Sequence, residues 1–112
     1  MKGTHIGEFE EIVLLAIAIL DENAYSISIG GEIQKKTKRK PSIGALHSAL
    51  SRLEEKGFID SREGDETPER GGRRKRFYTI KAAGIKALKN SRELRNTMWD
   101  AIPNLSLGLK RS

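Results

Sequence analysis

Apolar residues fall into four blocks with helical spacing and two short extended runs. Residues 7–23 predict a first helix: Leu, Ile and Ala dominate from Ile12 to Leu20, and no proline interrupts them. Glu8, Glu10 and Glu11 come just before, where carboxylates suit the positive end of the helix dipole. The stretch is apolar on every side, so the helix needs cover on several faces. A second subunit is expected to supply part of it, against Ile12, Leu15 and Ile19.

Residues 26–36 predict a shorter second helix, with Ser26 or Ser28 as its N-cap and Ile29 and Ile33 sharing a face. Pro41 breaks the chain after it. The third helix has the clearest pattern. Ser42 is its N-cap, Leu46, Leu50 and Leu53 stand at i, i+4 and i+7, and Gly57 follows Lys56 as a stop. With Ala49 the leucines define a core face. Opposite lie Gly44, Ala45, Ser48, Ser51 and Arg52, with His47 at the margin. Solubility alone would favour Glu and Lys there, whereas small polar residues suit a surface that something approaches closely.

Residues 58–62 and 75–80 predict two strands, joined as a hairpin through a long tip at 63–74 that holds Gly64, Pro68, Gly71 and Gly72. Residues 81–101 predict a last helix with a stripe of Gly84, Ala87, Leu88, Ser91, Leu94, Met98 and Trp99. Pro103 ends it, and 102–112 reads as a loose tail. The whole reads as one domain over 1–112. Its core spans 7–80, and 81–101 forms a C-terminal dimerisation helix.

Composition narrows the function. The 112 residues carry 21 basic and 15 acidic side chains, a formal net charge of +6. Two runs concentrate it: five of the six residues from Lys35 to Lys40 are basic, and five of the seven from Arg70 to Arg76. Clustered charge attracts a polyanion, and nucleic acid fits better than a membrane surface. Residues 62–76 hold six basic against four acidic residues, so the acidic half of the hairpin is expected to point away from phosphate. Without cysteine there are no disulfides, zinc fingers or thiol nucleophiles, and His5 and His47 alone cannot build a multi-histidine metal site. No cofactor is expected, and no nucleophile–base pair or Gly-rich phosphate motif suggests an enzyme. The apolar run from Ile12 to Leu20 is far shorter than a membrane span, and a cytoplasmic protein is expected.

Three helices, a strand, a basic tip, a strand and a helix make the order of a winged helix-turn-helix, mainly α with a small β-hairpin. In that arrangement the third helix enters the major groove of double-stranded DNA. The sequence Gly-Ala-Leu-His-Ser-Ala-Leu-Ser-Arg-Leu-Glu-Glu-Lys-Gly-Phe-Ile (44–59) resembles the signature of PadR-family transcriptional regulators, Gly-Thr-Leu-Tyr-x-x-Leu-x-x-Leu-Glu-x-x-Gly-Leu-Ile. Gly-Gly-Arg-Arg-Lys-Arg-Phe-Tyr-Thr-Ile-Lys-Ala-Ala-Gly (71–84) is similar to the family's hairpin, and the run from Phe9 to Leu20 to its first helix. The resemblance is to a short form without the long C-terminal helical domain. It implies a homodimeric repressor at a two-fold-symmetric operator, often released by a small molecule. Two departures stand out: His47 where the family has Tyr, and Lys81 where a Thr N-cap is usual.

Together these readings give the candidate DNA contacts. They are Lys36, Lys38, Arg39 and Lys40, then Ser42, Gly44, Ala45, His47, Ser48, Ser51 and Arg52 on the third helix, and Arg70, Gly71, Gly72, Arg73, Arg74 and Arg76 on the hairpin. Two partners suit Arg52: Glu55 on its own helix, or a guanine. Leu88, Leu94, Met98 and Trp99 join Ile12, Leu15 and Ile19 as dimer candidates. Trp99 also suits a small apolar or aromatic effector, sandwiched against its mate in a two-fold dimer. The rival to DNA readout is a winged-helix module that binds RNA or a protein partner without reading sequence.

Overall fold

The computed structural model describes residues 6–66 and 74–103. Its elements follow the expected order: α1 (Glu8–Leu20), a short 3₁₀ turn (Asp21–Asn23), α2 (Ser26–Thr37), α3 (Ile43–Glu55), β1 (Ile59–Glu66), β2 (Arg74–Ile80) and α4 (Ala82–Asp100). This is a winged helix: three packed helices, an antiparallel hairpin and a trailing helix.

Val13, Leu14 and Ile17 of α1, Ile29 and Ile33 of α2, and Leu46, Ala49, Leu50 and Leu53 of α3 form one buried core with Phe58, Ile59 and Tyr78. The leucine periodicity of α3 therefore marks its core face as read. Ser42 Oγ accepts a hydrogen bond from the Ala45 N–H at 3.1 Å, and Gly57 takes φ +81° beyond the helix end. A left-handed φ of that kind favours glycine, which has no Cβ to clash.

Several boundaries differ. The first helix does not run to Asn23 as α-helix, because Asp21 turns to φ 56° and opens the 3₁₀ turn. Neither Ser26 nor Ser28 is the N-cap of α2; Tyr25 is. Ser28 instead reaches back from the third helical position and accepts the Tyr25 N–H at 2.9 Å. Lys38 closes α2 in a left-handed conformation, φ 64°, and donates its N–H to the Gln34 carbonyl at 2.9 Å.

The first strand is longer than its apolar pattern indicated. Phe58 lies ahead of it in a bend, with its side chain buried. β1 then continues through polar residues to Glu66, because the backbone ladder with β2 holds it: Ile59 pairs with Ile80, Ser61 with Tyr78, Glu63 with Arg76 and Glu66 with Arg74. Of the expected tip at 63–74, residues 67–73 lie outside the described residues. The Tyr78 N–H also bonds the Ala24 carbonyl at 2.8 Å, and Tyr25 bridges Phe77, so the hairpin is fastened to the α1–α2 connection.

Lys81 is the N-cap residue of α4 and supplies no side-chain cap, as the missing Thr implied. It is seated closely at Gly84, where an added Cβ would lie 2.5 Å from the Phe58 carbonyl oxygen. Ala87 and Leu88 pack partly on the core, Ser91 and Arg95 reach Glu11 of α1, and the helix is otherwise exposed beyond Leu88. Among the described residues, no helix is long and apolar enough to cross a membrane.

Candidate nucleic-acid interface

The outward side of α3 is open. Ser42, Gly44, Ala45, His47, Ser48, Ser51 and Arg52 are all exposed, and Gly44 has nothing within 4 Å of where a Cβ would stand. The first turn contains no acid. Apart from the Ala45 N–H, which Ser42 caps, the positive dipole end is left without an acid, a setting suited to a phosphate.

Each flank of this face is tied to a different neighbour. On one flank Arg52 Nε donates to Glu10 Oε2 at 2.5 Å, and Lys56 Nζ to Glu10 Oε1 at 2.7 Å. Of the two expected partners, Glu55 is not the one Arg52 bonds within the chain; its contact there is a carboxylate of α1. Glu10 is only 8% exposed. Burial pushes its carboxyl up, but the hydrogen bonds and charges of Lys56 and Arg52 outweigh that and hold it below the usual glutamate value. On the other flank Glu54 Oε2 accepts from Ser61 Oγ at 2.7 Å, and Ser61 Oγ accepts from Arg76 Nη1 at 2.8 Å. This chain links the last turn of α3 to a hairpin arginine.

The basic run lies between α2 and α3. Lys36 pairs with Glu32 one turn back, and Arg39 with Glu8 at 3.5 Å, while Lys38 and Lys40 are exposed. Arg39 and Lys40 join Phe9, Ile33, Pro41 and Ala45 around a cleft of about 450 Å³ at the amino end of α3.

On the hairpin, Arg74 and Arg76 are exposed, and both lie near Glu63, at 3.6 and 3.9 Å. The expectation that the acidic half points away is corrected here for Glu63. Antiparallel pairing sets Glu63 opposite Arg76, and directly opposed residues share a face. On the other face of β2, Lys75 Nζ sits 4.3 Å from the Tyr25 ring centroid, and Arg62 lies 5.1 Å from that of Phe77. Arg70, Gly71, Gly72 and Arg73 lie outside the described residues.

The dimer candidates divide. Ile12 and Leu88 are half-buried against the chain's own core, whereas Leu15, Ile19, Leu94, Met98 and Trp99 are exposed. Sequence reasoning missed Glu10, Glu54 and Ser61. Their roles depend on contacts between elements, and no spacing within an element signals them.

The solved structures it resembles include a transcriptional regulator from Clostridium thermocellum, Cth-833, at 31% identity over 80% of this chain and 83% of that one, with a TM-score of 0.67. A PadR family transcription regulator from Clostridium difficile R20291 is 23% identical over 82% and 92%, with a TM-score of 0.66. A PadR-like transcription factor from Bacteroides fragilis is 19% identical over 84% and 89%, with a TM-score of 0.61. No curated protein matches the chain. Residues 14–90, most of the chain, match the family model described as the transcriptional regulator PadR-like family. With the winged-helix order and the open α3 face, this chain belongs to the PadR-like family of transcriptional regulators rather than to an enzyme family.

Proposed function

We propose that the chain binds double-stranded DNA sequence-specifically and represses transcription as a homodimer on a palindromic operator. The observation that carries this reading is α3. Its leucine face is buried, and its opposite face presents Gly44, Ala45, His47, Ser48 and Ser51 with no acid in the first turn. Small residues let the helix backbone come close to base edges in the major groove. Lys38, Arg39 and Lys40 grip phosphate beside the amino end of α3, and Arg74 and Arg76 do so from the hairpin, together with Arg70 and Arg73. A second copy covers Leu15, Ile19, Leu94, Met98 and Trp99. A flat apolar or aromatic effector held between the two Trp99 side chains is the release signal.

Duplex titration at several salt concentrations tests the reading. A palindromic site should bind on the order of a thousandfold more tightly than random duplex. Arg73→Ala and Arg74→Ala should each lower the salt slope by about one unit without altering sequence preference. Equal affinity for every sequence would instead favour the module that binds RNA or a protein without readout. Sedimentation as a monomer at micromolar concentration would remove the dimer. In the dimer the two α3 helices should stand about 34 Å apart, one turn of DNA.

A further inference from the structure

The first helical residue of α3 is Ile43, and it is 68% exposed. It belongs neither to the buried core nor to the partly buried shell packed on that core. A single exposed isoleucine is ordinary on a protein surface; its position is not. At the amino end of a helix an acid would gain from the dipole, and a β-branched residue adds little to helix stability. The spacing of four puts Ile43 on the same side as exposed His47. Just before it in the chain stand Lys38, Arg39 and Lys40. Three neighbouring cations suit a polyanion and discourage a purely apolar partner.

Base pairs expose one apolar group in the major groove, the 5-methyl of thymine. The residues at the amino end of a groove-bound helix are the ones that meet base edges. We propose that Ile43 is a specificity-determining residue that reads the 5-methyl group of a thymine. The inference rests on α3 being the groove helix, and it adds an apolar contact to a face otherwise read through small and polar groups.

Sites recovered by the full-length chain from a pool of random duplexes supply the probes. In synthetic copies each thymine is replaced in turn by deoxyuridine, which deletes the methyl group alone. At one position per half-site this should weaken wild-type binding about fourfold, the worth of one buried methyl. Ile43→Ala should bind the thymine duplex more weakly by a similar factor and be indifferent to uridine at that position only, while Ile43→Val keeps the preference. An unchanged melting temperature for Ile43→Ala excludes a folding effect. If the uridine and Ile43→Ala effects multiply independently at every thymine, or uridine matters nowhere, the inference is overturned. If the wild type recovers no preferred sequence at all, the groove-helix reading fails first and this inference with it.

Discussion

The amino ends of α1 and α3 present the same electrostatic feature and use it in opposite ways. α1 begins at Gly7 with no side-chain cap and carries Glu8, Glu10 and Glu11 in its first turn. Those carboxylates hold the rest of the domain: Glu8 reaches Arg39 beyond α2, Glu10 reaches Arg52 and Lys56 of α3, and Glu11 reaches Ser91 and Arg95 of α4. α3 begins with a Ser42 cap followed by Ile43, Gly44 and Ala45, all exposed and all uncharged. One positive helix end is spent on internal cohesion, and the other is kept clear. Where a helix forgoes acids at its amino end, an anion from outside has room to bind.

The sharpest way to break this contrast is to give α3 the residue that α1 has. Gly44→Glu places an acid in open space at the first turn. The free protein should gain about 1 kcal/mol from replacing glycine and complementing the dipole. DNA affinity should fall on the order of a hundredfold, since a like charge placed against phosphate costs several kcal/mol. Stability measured by urea denaturation and affinity measured by duplex titration should therefore move in opposite directions. If they move together, the amino end of α3 is not a contact surface.

The converse experiment removes an acid from α1. Glu10→Gln leaves Arg52 and Lys56 facing a neutral amide and should cost about 2 kcal/mol, less than a fully buried pair because Arg52 is half-exposed. The pH dependence gives the sign. The Glu10 carboxyl titrates below the ordinary glutamate value in the folded protein. Its contribution is therefore complete above the unfolded value of about 4.3 and is lost as pH falls through the lower folded value. Melting curves should show a smaller acid-side loss in Glu10→Gln than in the wild type.

Two smaller effects refine the comparison. Ser42→Ala should cost about 1 kcal/mol, because the Ala45 N–H loses its acceptor. Lys38→Gly should stabilise the free protein by up to about 1 kcal/mol, since lysine holds a left-handed conformation there. The same change should weaken DNA binding and lower the salt slope by about one unit if Lys38 meets a phosphate. A lysine kept where glycine is easier points to a use for its charge.

Much of this was legible in the sequence, for local reasons. Leu46, Leu50 and Leu53 are periodic, Ser42 and Gly57 bracket their helix, and both Lys/Arg runs are contiguous, so each signal sits within one element. What escaped the sequence is tertiary. Arg52 had a plausible partner three residues away, yet it bonds Glu10, 42 positions distant. Nothing in the run Glu8, Glu10, Glu11 says which helix each carboxylate will face. β1 outran its predicted end at Arg62 because backbone pairing with β2 extends it to Glu66, through a stretch whose sequence carries no strand pattern. Tyr25 displaced the serines as the cap of α2 because Ser28 could serve from inside the helix.

The seat of α4 at Gly84 has a mechanical consequence. From Gly84 to Trp99 the helix is a lever roughly 22 Å long, at 1.5 Å per residue. Its nearest fulcrum is the packing of Ala87 and Leu88, about one turn away. A methyl group added at Gly84 would press on the Phe58 carbonyl and on Ile80 Cγ1, at 2.5 and 2.9 Å. Lifting the root by about 1 Å would swing the far end by several times as much. The smallest side chain in the helix thus sets the aim of its largest one.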